Sequence, residues 1–573
     1  VTEVRDVLRL QGGITQDAGG GLHMRGGRSS EISYMVDGIP MTDAYDGGIS
    51  VQIENDNLQE LQVISGTFNA EYGKALTGVI NMVTKDGGDR FEGSLNVYSG
   101  DHTTTDPIFK NLNSYSPLND HSISINLSGP IIPRRLTFYS SARSNGSKGW
   151  LYGRPTFTMY GDTIFTDNNE QYKAMNWYNS WSTQNKLTLK IAASTKLRLN
   201  TIFNSGVSQG YDHNRQMAQE GRKKNYNNGQ FIGLSLSHSF SSMSFIEFNA
   251  SQYIHRNESY LYEDPLDERY VTPDSLFWAH IVGDVPNHIQ NIYGDGVNYF
   301  PQYTFSRWGV DTDRFMRETK TQGLKLDYTN QINNYNQIKA GADLTFHTLT
   351  LDTYGLLDSS QSDQQFSPIV PEIGSFNRST YEFNPREWSI YLQDKIEYGD
   401  MIINAGVRYE SFDPRSKTPN NIHEPYINNP RNPALDSLSL EELEDLDWSA
   451  IWYTELDSSG NTIEHTYSEF YDRFNDQPDL INKRGWWKNT TIKSQFSPRL
   501  AVAYPISDKG VIHFAYGYFF KIPDFSLLYN NTEYKLTETG TNFGIFGNPE
   551  LEPETTISYE LGLRQEIGYR TKI

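Results

Sequence analysis

The sequence predicts a transmembrane antiparallel β-barrel preceded by a small, glycine-rich α+β domain. Three observations carry that reading. Beyond residue 88, apolar and polar residues alternate with a period of two in segment after segment, as in strands with one face in lipid and the other in a watery lumen. The connectors between those segments alternate between tight turns and long loops, the sidedness of an outer-membrane barrel. Apolar residues make up only 36% of the 573 residues, while aromatics reach 13%, with 37 Tyr, 29 Phe and 10 Trp. Such a balance suits a wall one residue thick with aromatic girdles, not a thick aliphatic core. No run of eighteen apolar residues occurs, which excludes helical spans and leaves strands as the means of crossing.

Taken in order, the chain opens with Thr2-Glu3-Val4-Arg5-Asp6-Val7-Leu8, which reads as a short N-capped helix. Two β-type runs follow, Ser33-Tyr34-Met35-Val36 and Val79-Ile80-Asn81-Met82-Val83-Thr84, flanking corners at Gly26-Gly27, Asp37-Gly38, Gly47-Gly48 and Gly73. Glycines at that density mark backbone that needs positive φ or close packing. Four ordered pieces stand between His23 and Lys85: Arg25-Gly26, Val36-Asp37-Gly38-Ile39-Pro40, Glu71-Tyr72-Gly73, and Gly78-Val79-Ile80-Asn81 leading to Thr84-Lys85. This stretch resembles the plug domain of TonB-dependent outer-membrane receptors. The resemblance implies an N-terminal α+β plug in the lumen over residues 1–88 and a barrel wall over 89–573. It also implies that a signal peptide, a TonB-contacting box and any N-terminal extension precede Val1. Arg25 to Glu31 with Phe68 to Gly73 looks most like the Oar-like receptors of Bacteroidota and their relatives. SusC-like transporters resemble it less, their usual KDASAxAIYG run being replaced by Ile64 to Gly73.

The barrel texture starts at Phe91 to Tyr98. Leu187, Leu189 and Ile191 alternate with Lys186, Thr188 and Lys190, and Leu324, Leu326 and Tyr328 alternate with Lys325 and Asp327. Ile403 to Tyr409 and Ile512 to Tyr518 repeat the pattern, with Arg408, Glu410 and His513 in the polar phase. Tight turns fall at Gly129 to Arg135, Ser194-Thr195, Ser241-Ser242, Asn333-Asn334, Tyr398 to Asp400 and Ser507 to Lys509. Long connectors fall at about 100–120, 147–182, 207–228, 256–319, 351–382, 413–494 and 521–555. Loops of that length are improbable inside a compact soluble domain. About fourteen strands result, the last at Thr556 to Gly568. An open sheet edge cannot face hydrocarbon. A self-closed fourteen-stranded barrel is one solution; the resemblance implies another, a twenty-two-stranded barrel of which about eight strands lie beyond Ile573.

The net charge of −21, from 49 basic and 70 acidic residues, argues against nucleic acid as a partner. With no cysteine there is no disulfide framework, thiolate metal site or thiol nucleophile. No phosphate loop, HExxH or GxSxG occurs and the histidines are scattered, so no enzyme activity and no resident cofactor are expected. The resemblance implies a plug-to-wall lock between Arg25 and Glu560, in Ser558-Tyr559-Glu560-Leu561-Gly562-Leu563; alternation points Glu560 into the lumen. In an occluded lumen, breaking such a pair costs about 3–5 kcal/mol. The place of a second plug arginine is taken by Ser65-Gly66. By the same resemblance the plug apices contact cargo, through Asp17, Arg28, Ser29, Tyr45 and Asp46, with Glu31 and Asp43 beside them.

Three extracellular clusters complete the candidates. Asp436 to Asp447 reads either as a solvated amphipathic helix or as a Ca²⁺ site without EF-hand order. Trp486-Trp487 and the aromatics of Tyr293 to Trp308 suit stacking on cargo, loop packing or the membrane interface. The implied partners are the TonB–ExbB–ExbD machinery, outer-membrane lipid with lipopolysaccharide, and a surface lipoprotein. The subfamily resemblance favours an oligopeptide, protein or glycan cargo over a ferric siderophore. An adhesin or secretion-associated barrel without transport is the competing class, and a soluble β-rich binding protein a third.

Overall fold

The computed structural model describes residues 4–17, 20–66, 69–155, 172–216, 219–270, 310–358, 367–373, 375, 377–419, 451–456, 462–466, 487–532, 546–567 and 571–572. At the N-terminus α1 (Val4–Leu8) leads into a hairpin of β1 (Ile14–Gln16) and β2 (Leu22–Met24). A four-stranded sheet follows, built from β3 (Ile32–Val36), β4 (Ile39–Pro40), β5 (Leu58–Ser65) and β6 (Gly78–Thr84) in the order β4-β3-β6-β5. β3 and β6 run parallel, Tyr34 opposite Ile80, and the other pairs are antiparallel. Their near-continuous apolar runs fit strands covered on both faces. The β3–β4 link is Asp37-Gly38, both at positive φ, +49° and +81°. That is the primed two-residue hairpin which Asp-Gly satisfies and β-branched residues cannot.

The core of this domain is not self-sufficient. Val4, Leu8, Leu22, Met24, Ile32, Val36 and Ile80 pack into one cluster that also takes in Ile202, Phe231 and Tyr253 from the wall. Burial of those three inward-facing side chains couples the insert to the barrel through ordinary hydrophobic area, about 1.5–3 kcal/mol for each fully buried large side chain.

The wall is a single antiparallel sheet in which each strand pairs with the next in sequence. It contains β7 (Glu92–Gly100), β8 (Asp120–Ile132), β9 (Leu136–Ser147), β10 (Trp177–Ala192), β11 (Thr195–Gln209), β12 (Lys224–Ser239) and β13 (Ser244–Tyr260). It continues through β14 (Asp313–Gln331), β15 (Asn336–Gly355), β16 (Arg386–Tyr398), β17 (Met401–Asp413), β18 (Lys493–Ser507), β19 (Gly510–Lys521) and β20 (Glu554–Ile567). Two short strands, Arg378–Phe383 and Thr571–Lys572, bring the sheet to sixteen. Between β19 and β20 a five-residue helix, α2 (Phe525–Tyr529), folds inward.

The expected phase of alternation holds. Leu187 and Ile191 lie outside, whereas Lys186, the residue before Leu187, is 4% exposed; Leu324 and Leu326 lie outside, with Asp327 buried. Strands exceed what a bilayer requires. At about 3.4 Å per residue and a tilt near 40°, the nineteen residues of β14 rise roughly 50 Å, about twice the apolar band of such barrels. The upper parts therefore stand above the membrane as a vestibule wall. For this reason four connectors are shorter than the polar composition suggested, the ladders running on to Trp177 with Gln209, Lys224 with Tyr260, and Asp313 with Gly355. Among the described residues the sheet does not close on itself into fourteen strands: β7 pairs only with β8, and β20 pairs with β19 and Thr571–Lys572. No helix among the described residues is long and apolar enough to cross a membrane.

Candidate functional site

The Asp37-Gly38 corner is held from both sides. Asp37 Oδ1 accepts from the Thr84 backbone N–H at 2.9 Å, and Oδ2 accepts from the Thr84 hydroxyl at 2.7 Å and from Asn200 Nδ2 at 2.9 Å. Lys186 Nζ reaches this group from the wall, 3.3 Å from Asp37 and 2.9 Å from Asp86. Asn81 Oδ1 accepts from the Gly38 N–H at 3.0 Å while its amide nitrogen donates to Gln62. Asp37, Gly38 and Asn81 thus build the hairpin and tie it to the barrel.

The loop carrying Glu71, Tyr72 and Gly73 meets β14 to β18. Glu71 pairs with Lys339, and its N–H donates to Gln393 Oε1. Arg499 Nη1 donates to the Asn69 and Tyr72 carbonyls, both at 2.5 Å. Arg408, 2% exposed, donates to Glu410 at 3.0 Å, Asp343 at 2.8 Å and Ser389. A Cβ on Gly73 would sit 2.6 Å from Arg408 Nε and 2.7 Å from Glu410 Oε1, so glycine is what allows the loop to lie on this triad. Burial, with the Glu71 and Asp327 charges adding, pushes the Tyr72 phenol up to about 12. Next to it Lys74 Nζ lies 2.8 Å from Glu387, which also holds His347 Nε2 at 2.7 Å.

Two further contacts were not legible as motifs. Glu54 and Arg143 form a buried pair at 2.6 Å, with Ser182 donating to the other Glu54 oxygen and Ser122 and Asn145 accepting from Arg143. At the apex, Asp43 is buried against His255 Nδ1 at 2.6 Å, with Arg317 4.0 Å away. Burial works against its charge, but the His255 hydrogen bond and the positive charges hold its carboxyl below the usual range. Burial and the Asp43 charge lift the neighbouring Asp46 above that range, although Arg317 lies 3.5 Å from it.

The cargo candidates are placed as follows. Arg28 extends to Glu31 at 2.9 Å and to Glu554 of β20 at 3.0 Å, and is 65% exposed. Ser29 opens a single helical turn beside it. Asp17 accepts from the Gly21 N–H and contacts His23 Nε2 at 2.9 Å. Asp46 remains at the surface. Tyr45 does not. Its ring lies 3.8 Å under the Arg317 guanidinium, its hydroxyl donates to Asn530, and α2 covers it through hydrogen bonds from Phe525 and Ser526 to the Ala44 and Tyr45 carbonyls. An aromatic side chain among Leu349, Phe412, Phe525 and Tyr529 gains more from that burial than from exposure to solvent. Asp436 to Asp447, Trp486 and Tyr293 to Trp308 fall outside the described residues, as does the Trp487 side chain. Among the described residues no three His, Asp or Glu side chains gather as a metal site.

Arg25 Nη1 lies 3.3 Å from Glu560 Oε2, with Gly66 packed against both side chains. The pair is not occluded: the side chains are 47% and 27% exposed. The cost reckoned for a sealed lumen is therefore too high here, since screened pairs contribute about 0–1 kcal/mol. Between insert and wall lies a cavity of about 110 Å³, bordered by Met35, Ile39 and Asp43 below, Thr321 and Glu387 on the wall, and Phe525 above.

Comparison with known proteins follows from this geometry. Residues 274–572 match the family model described as TonB dependent receptor-like, beta-barrel, and residues 1–79 match the TonB-dependent Receptor Plug Domain. Over 75 residues the chain is 33% identical to the TonB-dependent transporter Oar of Myxococcus xanthus, which covers 13% of this chain and 7% of that protein. Among solved structures it is similar to the unliganded ferric citrate transporter FecA, with a TM-score of 0.56 at 14% identity over 99% of this chain and 66% of that one. It is also similar to the siderophore receptor PirA from Pseudomonas aeruginosa, with 0.54 at 12% over 99% and 69%, and to the copper transporter OprC, with 0.56 at 11% over 98% and 66%. At such identities the likeness is one of fold. The chain spans about two thirds of the length of these structures.

Proposed function

Because this chain belongs to the TonB-dependent receptor family, we propose that it is a receptor of a Gram-negative outer membrane. It binds an extracellular cargo above the plug and imports it with energy delivered by the inner-membrane TonB–ExbB–ExbD machinery. The observation that supports this best is how the insert is held. Residues 4–84 have their own sheet, yet they are fixed in the lumen by side-chain pairs to Lys186, Arg143, His255 and Glu387, by a hydrogen bond from Arg408 to the Ala70 carbonyl and by three shared apolar residues. Each contact is reversible, so a pull on the N-terminal side can release the insert stepwise without breaking its own fold at once.

For cargo, the proposal favours an oligopeptide, protein or glycan over a ferric chelate. Support comes from the neutral and mixed-charge surface at Ser29, Arg28 and Asp46. The decisive experiment follows entry of labelled candidate cargoes into cells producing the receptor, with and without a protonophore. Uptake that collapses with the proton-motive force is the expected result. Binding without any energised uptake sinks the transport reading in favour of an adhesin-like barrel. Growth loss confined to iron limitation sinks the cargo preference.

A further inference from the structure

The vestibule wall carries a second recess, separate from the plug contacts, on the inner face of β10 to β14. It is open to the vestibule and offers about 370 Å³. Inner-face positions follow the register that puts Lys186, Asn200, Gly233, Ser251 and Gly323 in one cross-strand row. By that phase Ser180, Ser208, Asn225, Asn227, Asn257 and Ser259 point into the recess. Tyr178 and Phe315 flank it, and its floor is Gly206. Glu258 is the one charged lining residue, and it belongs to the outward phase.

The composition of this lining narrows what it can hold. Hydroxyls and carboxamides donate and accept at once, which matches ligands whose groups do the same. A phosphate or carboxylate ligand calls for lysine or arginine, and none lines the recess. A peptide bound by strand addition calls for a free strand edge, and every strand here is paired on both sides. Aromatic rings with one apolar face suit the C–H faces of a pyranose ring. A further sign is Ser259: its residue is 8% exposed and its hydroxyl has no hydrogen-bond partner, an expensive state that a ligand hydroxyl would relieve.

We propose that this recess is a binding subsite for a neutral oligosaccharide. The assignment rests on the reading of the chain as a cargo receptor and names the cargo class at its outer surface. The subsite is linked to the plug through one wall residue, His255. Asn227 Nδ2 donates to Asn257 Oδ1 at 2.9 Å and faces His255 Nε2 at 3.2 Å, and the other nitrogen of His255 holds Asp43. A saccharide that takes over the Asn227 amide alters the group on which the plug apex leans.

Gly206 provides a clean test. A Cβ there meets nothing nearer than 3.6 Å and its φ is not positive, so Gly206→Leu fills the recess without straining the strand. The full receptor in detergent is applied to immobilised short oligomers of glucose, galactose, mannose and N-acetylglucosamine, with uronic-acid oligomers and peptides as comparison arms. Heat-modifiable gel migration verifies that each variant barrel is folded. Binding to at least one neutral oligomer is expected, with Gly206→Leu abolishing it and Asn257→Ala or Ser259→Ala weakening it about three- to ten-fold, the size of one or two lost hydrogen bonds. No binding to neutral oligomers, or binding that a folded Gly206→Leu leaves unchanged, overturns the subsite. Failure of the transport reading looks different: neutral sugars still bind and still respond to Gly206→Leu, but no energised uptake follows.

Discussion

Truncating Glu54 to alanine tests how the plug is retained. The Glu54–Arg143 pair is 2.6 Å long, with side chains only 5% and 8% exposed. Removing the carboxylate leaves a guanidinium buried with Ser122 and Asn145 on Nε alone. Breaking a buried pair in this way costs about 3–5 kcal/mol, and the surviving partners place the cost near the lower end. Arg25→Ala also breaks an ion pair, but one that solvent reaches, where the loss is about 0–1 kcal/mol. Planar-bilayer conductance under increasing urea reports plug release, because an unplugged barrel conducts. With an m-value of about 1–1.5 kcal/mol/M for a unit of this size, Glu54→Ala lowers the opening midpoint by roughly 2–3 M and Arg25→Ala by less than about 1 M. If Arg25→Ala shifts the midpoint as far as Glu54→Ala, or Glu54→Ala shifts it not at all, burial is not what ranks these contacts.

Other expectations concern the corner, the loop and the apex. Gly73→Ala places a methyl 2.6 Å from Arg408 Nε; overpacking of about 1–3 kcal/mol displaces the loop, and hydrogen exchange at residues 69–76 accelerates while β3 and β6 stay protected. Asp37→Asn keeps a side chain that tolerates positive φ but removes the charge beside Lys186, so it lowers the urea midpoint, and Asp37→Ala lowers it further. Asp46 has a folded pKa above its unfolded value, so its contribution is present below the unfolded pKa and is lost as pH rises through the folded one. Asp46→Asn therefore removes a loss of plug stability on going from acid to neutral pH, visible as a flatter pH profile of the same midpoint.

Which of these features could be seen in the residue string depends on the kind of order behind them. Strand phase is local: Leu187, Lys186 and Leu189 reveal which side is wet without knowledge of any neighbour. Turn chemistry is local too, and Asp37-Gly38 announces its hairpin. The pairing of Glu54 with Arg143 spans 89 residues and leaves no spacing to read; Arg25 and Glu560 came together on paper only through family resemblance. Tyr45 was misplaced because an exposed loop and a loop roofed by α2 have the same composition. The neutral recess was not visible, since Asn225, Asn227, Asn257 and Ser259 all fall within stretches whose polar composition reads as connector, whereas the strands run on through them. What was missing was the register that sets Asn227 directly opposite Asn257.

The central claim is that the plug is a stopper which must shift against the wall for cargo to pass. The chain has no cysteine, so two introduced ones form a single defined tether. Ala70 and Gly406 are in direct contact, the Ala70 Cβ lying 2.9 Å from where a Cβ on Gly406 would be, so the plug loop has to back off by about 1 Å to reach the usual disulfide separation of about 3.5–4.5 Å. Energised uptake by the oxidised Ala70→Cys, Gly406→Cys receptor is the measurement. The account predicts cargo binding unchanged, uptake lost, and uptake regained on reduction; full uptake with the tether intact would contradict it.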